Sequence, residues 1–333
     1  MATDLKLDPA PIMQISTGPW ANAILAAAVE HRAFVHLEGG PLAADALAAK
    51  AGISPRGAQA LLDGLLGLGL AEKEGDRYRN SALASAFLVE GKPTFLGGLS
   101  RVNLAEGPRR ALLPQAVRTG VPAVEETTDL KENPFWELLV PAIAGLAAPV
   151  AQSAAEKLGV ARAGAISVLD VGGGSGIYAI VWGRINPQCR FTQLDWGNVN
   201  RIARDITGKA GIADRFETID GDFHTVDFGS ARYDFAIYSN IAHQESPRDN
   251  TAVFRKFRKA VKPGGALVIS DFVLENDRTG HPFALLFHST MLLDSKEGAV
   301  WRKADYEAWL HEAGFTSVAF EPTPGPSTIV IAK

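Results

Sequence analysis

The chain has 333 residues, 47% of them hydrophobic, enough for one large domain or two ordinary ones. Its net charge of −4, with acidic and basic residues interspersed, excludes the basic footprint of a protein that binds nucleic acid or anionic membrane. A single cysteine, Cys189, excludes an internal disulfide or a thiolate metal site and fits a reducing, cytoplasmic compartment.

The first residues, MATDLKLDPAPIM, lack the apolar core of a signal peptide. Residues 15–125 read as mostly helical, with apolar residues at helical spacing. Two short helices, 43–51 and 55–67, are joined by a turn containing Gly52 and a Ser-Pro helix start. The stretch LAEKEGDRYRNS then predicts a hairpin with a Glu-Gly-Asp turn. Helix-turn-helix followed by a hairpin is a winged helix. A DNA-reading second helix needs several basic residues on one face. This one offers only Arg56, so the module reads as one for dimerisation or packing. Residues 130–160 read as linker helices. Their most apolar run, 138–151, is interrupted by Pro141 and Pro149 and falls short of the ~20 residues of a membrane span.

From Ala165 the pattern changes. AISVLDV, CRFTQLD, RFETIDGDF, YDFAIYSN and GALVISDFVL are strand-like runs. Helical segments at 177–186, 199–209 and 249–260 separate most of them. Such alternation predicts a parallel sheet with helices on both faces. The end, TSVAFEPTPGPSTIVIAK, is two strands joined by a Pro-Gly turn, so the last strand should run antiparallel. In a doubly wound sheet the ligand sits at the C-terminal ends of the strands, where strand order switches.

Glycine is entropically costly inside regular structure, yet LDVGGGSGIYAI holds four behind an apolar run and an Asp. Two cofactor turns compete. The dinucleotide spacing G-x-G-x-x-G/A fails on Gly172, Gly174 and Ile177 but passes on Gly174, Gly176 and Ala179. The spacing D-x-G-x-G-x-G, which resembles the turn of S-adenosyl-L-methionine (SAM) methyltransferases, is met in full by Asp170, Gly172, Gly174 and Gly176. Asp195, nineteen residues after Gly176, can accept both ribose hydroxyls of either cofactor. The segment DGDFH favours SAM, with Asp222 for an adenine amino group and Phe223 for the ring. So does KPGGALVISDF, with a Pro-Gly-Gly turn before the fifth strand.

Over nearly its whole length the chain resembles the plant caffeate- and isoflavone-type, hydroxyindole and bacterial tailoring O-methyltransferases. That resemblance implies a winged-helix-like dimerisation domain (1–125), linker helices (126–160) and a Rossmann-like SAM-binding catalytic domain (161–333). It implies a homodimer through the N-terminal domain, a small-molecule substrate, no nucleic-acid or membrane partner, and no metal. The seven scattered histidines agree with the last point: none forms a His-x-x-x-His pair with a usable carboxylate, and His31 and His36 share no face well.

Methyl transfer from a sulfonium is an in-line displacement, so the nucleophile must be aligned behind the methyl. A hydroxyl nucleophile calls for a general base, usually His. The resemblance places that base at His243 in SNIAHQE, after the fourth strand. The family's Lys of this segment is Ser239 here, and its Asp-Trp is Gln244-Glu245. Of the two acids that orient the base in the family, the first matches Asp271, and Val300 stands at the second, with Glu297 close by. Gly173, Trp196, Ser239 and Asn240 join the expected cofactor set. Residues 281–298 match the family's pocket-lining helix, where Phe287, His288 and Met291 share roughly one face. Trp136, Ile143 and Leu146 are further wall candidates.

The expectation is O-methylation of a small aromatic or polyketide-like molecule, giving a methyl ether and S-adenosyl-L-homocysteine. One alternative moves the methyl to carbon or nitrogen without a base. Another is a non-catalytic winged-helix regulator that senses a ligand.

Overall fold

The change of periodicity along the chain becomes two units, one ending at Gly107 and one running from Pro108 to Lys333. The structure, a computed structural model, describes residues 8–125, 130–323 and 325–333.

The first unit begins with α1 (Ala10–Glu30) and α2 (Ala33–Glu38). In α3 (Ala44–Ala51) and α4 (Pro55–Gly67) the helix-turn-helix follows its local signals. Gly52 closes α3 in the left-handed conformation, Ser54 caps α4 by accepting the Gly57 N–H, and Pro55 occupies the first turn. The wing is β1 (Ala71–Glu74) and β2 (Arg77–Asn80), antiparallel in the register Ala71↔Asn80 to Glu74↔Arg77. Short helices α5 (Ala82–Phe87) and α6 (Gly98–Ala105) follow, and α7 (Gly107–Arg110) spans the division. Phe34, Leu37, Leu47, Leu62, Leu65 and Tyr78 form the core, where the Tyr78 hydroxyl donates to Asp63 at 2.9 Å.

The second unit opens with α8 (Leu113–Thr119), which packs on a later helix of the same unit. The stretch 108–125, grouped from sequence with the winged helix, therefore packs with the catalytic part, while residues 126–129 lie outside the described residues. The linker is one helix, α9 (Phe135–Leu158), not several. Pro141 and Pro149 sit inside it, and each removes the N–H donor that would have met the Glu137 or Gly145 carbonyl. At 24 residues it is, by length and composition, enough to cross a membrane, which corrects the expectation from the 138–151 run. Its C-terminal half is instead packed, with Ala151, Ala154 and Ala155 buried and the Ala151 carbonyl accepting the Trp182 indole N–H at 2.8 Å.

The seven-stranded sheet comprises β3 (Ser167–Val171), β4 (Arg190–Asp195), β5 (Phe216–Asp220), β6 (Tyr233–Ser239), β7 (Val261–Asp271), β8 (Val318–Pro322) and β9 (Thr328–Ala332). The order is β5-β4-β3-β6-β7-β9-β8; the first five are parallel and β9 is antiparallel to both neighbours. Helices α10 (Ile177–Ile185), α11 (Gly197–Lys209), α12 (Pro247–Ala260), α13 (Pro282–Asp294) and α14 (Lys303–Glu312) complete the unit. Val168, Ile237 and Val268 pack with Trp182 and Phe191 on one face of the sheet. Leu169, Val171, Leu267 and Ile269 pack with Phe254, Phe257 and Leu310 on the other. Burial on both faces explains why these strands read as unbroken apolar runs.

Two details differ from expectation. The Pro-Gly-Gly turn lies inside β7 as an irregularity: Val261 pairs with Tyr233, and pairing resumes at Ala266 opposite Phe235. Of the Pro-Gly turn between β8 and β9, Pro324 lies outside the described residues.

Candidate active site

The chain runs outward from β3 through β4 to β5, then crosses to β6 on the other side of β3. The strand order therefore switches between β3 and β6, and the sequence-marked residues gather at the C-terminal ends there.

Beyond β3 the glycine turn forms as its spacing demands. Gly172, Gly174 and Gly176 take φ of 67°, 58° and 72°, a region costly for any residue with a Cβ. Space matters too: a Cβ on Gly173 would lie 2.5 Å from Gln193 Oε1 and 2.8 Å from Asp170 Cγ. The Gly174 N–H donates to Asp195 Oδ2 at 2.9 Å and the Trp196 N–H to Asp195 Oδ1 at 2.7 Å, which leaves each oxygen a further lone pair. Burial pushes the Asp195 carboxyl up to about 6, against the pull of these two N–H groups. Asp170 is 1% exposed, and neither of its oxygens meets a donor among the described residues. Burial and then the nearby Asp195 push it up to about 8.

At the end of β5, Asp222 Oδ1 accepts the His224 N–H at 2.8 Å, and Phe223 stands edge-on to Tyr238, ring centres 6.0 Å apart. Glu245, where the family has Trp, pairs with His224 at 3.1 Å and raises the imidazole's proton affinity. At the end of β6, Ser239 bonds Tyr178, and Asn240 (φ 57°) turns the chain with its N–H on the Ser270 carbonyl.

That turn delivers His243 to Asp271 at the end of β7. His243 Nδ1 lies 2.7 Å from Asp271 Oδ1, with both side chains buried. A carboxylate only accepts, so Nδ1 carries the proton and Nε2 is left for a ligand. Asp271 takes three further donors: the N–H of Phe272 at 2.8 Å, the N–H of His243 at 3.1 Å and the Tyr306 hydroxyl at 3.3 Å. The Ala242 carbonyl, next to the base, is held by Asn250 at 2.9 Å and Trp301 at 3.0 Å. Among the described residues the second acid of the family has no counterpart in contact. Val300 is buried with Leu274, Ala284, Phe272 and Phe287, and Glu297 is exposed.

Phe272 lies nearly parallel to the His243 ring at 6.0 Å, and Phe287 is edge-on to it at 5.0 Å. Phe283 extends this wall, 4.9 Å from Phe272 and 6.0 Å from Phe287. Met291 is buried, whereas His288 is engaged elsewhere: its Nδ1 accepts the Val300 N–H at 3.1 Å, and the Arg278 guanidinium lies 3.0 Å from Nε2. On α9, Trp136 keeps a buried indole N–H without a partner among the described residues, Ile143 is half-buried, and Leu146 is 47% exposed. Sequence reasoning missed Phe272, Phe283 and Tyr306. Only the position of Phe272, directly after Asp271, carried a signal.

Comparisons with known proteins identify the family and the fold. Residues 154–316 match the model of the O-methyltransferase domain, and residues 13–90 that of the O-methyltransferase dimerisation domain. The chain is 32% identical to the tetracenomycin polyketide synthesis 8-O-methyl transferase TcmO of Streptomyces glaucescens, over 98% of this chain and 96% of that one. It is 30% identical to the 3-hydroxy-5-methyl-1-naphthoate 3-O-methyltransferase of Streptomyces sahachiroi, over 93% and 90%. Among solved structures, a Nostoc punctiforme protein assigned as an O-methyltransferase superposes with a TM-score of 0.89 at 26% identity, covering 98% of this chain and 99% of that one. Human N-acetylserotonin methyltransferase, solved with SAM, shares the fold at a TM-score of 0.85 and 24% identity, with 99% of each chain covered.

Proposed function

The chain belongs to the O-methyltransferase family with an N-terminal dimerisation domain, and we propose that His243 is the base with which it methylates a hydroxyl of a fused-ring aromatic or polyketide-derived acceptor. It is a SAM-dependent enzyme. The residues present fit that cofactor: glycines at positive φ keep the 172–176 turn free of side chains, Asp195 keeps lone pairs for ribose hydroxyls, and Asp170 is a buried carboxyl with no donor among the described residues. Asp222 and Phe223 would meet the adenine, and Trp196, Ser239 and Asn240 would close the site around it. When bound, the cofactor supplies a methyl group made electrophilic by its sulfonium.

The rest is the work of this chain's side chains. Asp271 fixes the tautomer and aim of His243 and stabilises the imidazolium that forms when Nε2 takes the hydroxyl proton. Phe272, Phe283 and Phe287 offer faces and edges to a planar acceptor and keep water from the base. Relatives named for a polyketide and a naphthoate support a fused-ring acceptor of this shape. The observation that carries the reading is the buried 2.7 Å His243–Asp271 pair at the same C-terminal end of the sheet as the glycine turn. Replacing His243 with Ala should cut turnover by about 10²–10⁴-fold and leave S-adenosylhomocysteine binding unchanged. Near-normal turnover in that variant would sink the base assignment.

A homodimer through the first unit is the matching assembly. Ile12, Met13, Ile15 and Trp20 on α1 are each at least 63% exposed, an apolar surface that a second copy would cover.

A further inference from the structure

Among the described residues His243 has one acid in contact, Asp271, so whatever holds that acid decides how strongly it acts on the base. Three of the four donors on Asp271 come from His243 itself and from the neighbouring Phe272. The fourth, the Tyr306 hydroxyl, comes from α14, thirty-five positions along the chain, and lies 3.3 Å from Oδ2. Asp271 and Tyr306 are both fully buried. Burial first, and then the Asp271 charge, push the phenol well above its ordinary value, so it stays neutral and donates. Among the described residues it meets no other acceptor.

The hydroxyl is delivered by a braced segment. The Trp301 carbonyl accepts the Leu274 N–H at 2.9 Å, and the Lys303 N–H donates to the Leu274 carbonyl at 3.0 Å, which ties the start of α14 to the chain just beyond Asp271. Arg302 and Asp305 close the first turn of α14 with reciprocal bonds. Trp309 packs on Tyr306 with ring centres 5.8 Å apart and on Trp301 at 5.2 Å. The electrostatic surroundings are acidic. The charges whose fields reach Tyr306 and its buried neighbour Tyr238 are Asp271, Glu245, Asp249 and Asp305. Nearby cations are already paired, His224 with Glu245 and Arg302 with Asp305, and on α13 His288 lies against Arg278. Carboxylates around an imidazole favour its charged form, and a base held too firmly in that form cannot take a proton. A donor on Asp271 works the other way: it stabilises the carboxylate and weakens the pull of that charge on its remaining partners.

We propose that Tyr306 is a positioning residue for the His243–Asp271 pair: its hydroxyl fixes the carboxylate through Oδ2 and limits the pull of Oδ1 on the His243 Nδ1 proton, which keeps Nε2 free to accept. The inference rests on the reading of His243 as the base.

The test is proton NMR of the full chain carrying isotope-labelled histidine, with the His243 Nδ1 proton identified by its loss in His243→Ala. Two replacements act on the same bond in opposite directions. Tyr306→Phe removes the hydroxyl alone, so the Nδ1–H bond to Asp271 strengthens and its resonance moves to lower field. Replacement of Tyr306 by 3-fluorotyrosine makes the phenol a stronger donor in the same shape, and the resonance moves to higher field. Affinity for S-adenosylhomocysteine stays within about twofold in both. A residue that only fills space gives a different pattern: the Phe variant leaves the proton unmoved or shifts it to higher field, and the fluorinated residue leaves it unmoved. Either result would overturn the proposal, and the fluorinated protein decides the matter alone if the Phe variant does not fold. A wild-type His243 that carries its proton on Nε2 instead of Nδ1 would overturn the base reading, and the proposal with it.

Discussion

Asp271→Asn separates charge from shape at the proposed base. The carboxylate is fully buried and accepts four bonds: His243 Nδ1 and the Phe272 N–H on Oδ1, the His243 N–H and the Tyr306 hydroxyl on Oδ2. An Asn of the same shape can keep its oxygen on the first pair. Its NH₂ then faces the second pair, where the Tyr306 hydroxyl can turn and accept but the His243 N–H is left unpaired. One orphaned buried donor costs about 1–3 kcal/mol, which a protein of ordinary stability survives. The catalytic cost is larger, because the tautomer is kept but no negative charge remains to stabilise the imidazolium. Turnover should fall by about 10²–10⁴-fold, while affinity for S-adenosylhomocysteine stays within about twofold, since a twofold change is under 1 kcal/mol. The assay is formation of S-adenosylhomocysteine with a hydroxylated fused-ring acceptor, run beside a thermal melt. A folded variant that keeps turnover within about fivefold of wild type, a difference near 1 kcal/mol, would refute the reasoning.

Other outcomes follow from the same structure. In the cofactor-free protein Asp170 binds its proton more tightly folded than unfolded. It therefore stabilises at low pH and loses that contribution as pH rises from about 4 toward about 8. Asp170→Asn should raise the melting temperature more at pH 8 than at pH 5, and a gain independent of pH would contradict this. His224 is raised by Glu245, so its contribution is present below its ordinary value and lost as pH climbs through the raised one. Glu245→Gln should lower the His224 titration midpoint seen by NMR, and an unchanged midpoint would mean that the pair does not persist in solution. Ile15→Asp and Trp20→Ala on α1 should shift sedimentation from dimer to monomer, and an unchanged dimer would place the interface elsewhere.

Much of this was legible because it is local. Turn, cap and alternation signals marked every strand of the sheet, both helices of the winged motif and the hairpin between Ala71 and Asn80. The glycine turn was readable from spacing because positive φ leaves few choices of residue. What escaped depends on packing at a distance. A proline pair inside α9 reads as two breaks, yet one helix runs across both from Phe135 to Leu158. The Lys262-Pro263-Gly264-Gly265 turn could not be seen as a kink within β7, since that depends on the opposing Tyr233 to Phe235 segment. Tyr306 lies on α14, thirty-five positions from the carboxylate its hydroxyl reaches. His288 shares a helix with Phe287 but is one position further round, where its Nδ1 accepts the Val300 N–H and Arg278 lies beside Nε2.

The most direct measurement follows the methyl carbon. The full chain is incubated with SAM labelled at its methyl group and a series of hydroxylated fused-ring aromatics, and the product is read by carbon NMR. The label should appear as an aryl methoxyl, with one S-adenosylhomocysteine formed per ether and both lost together in His243→Ala. Label on carbon or nitrogen, or an ether formed as readily without His243, would contradict the account.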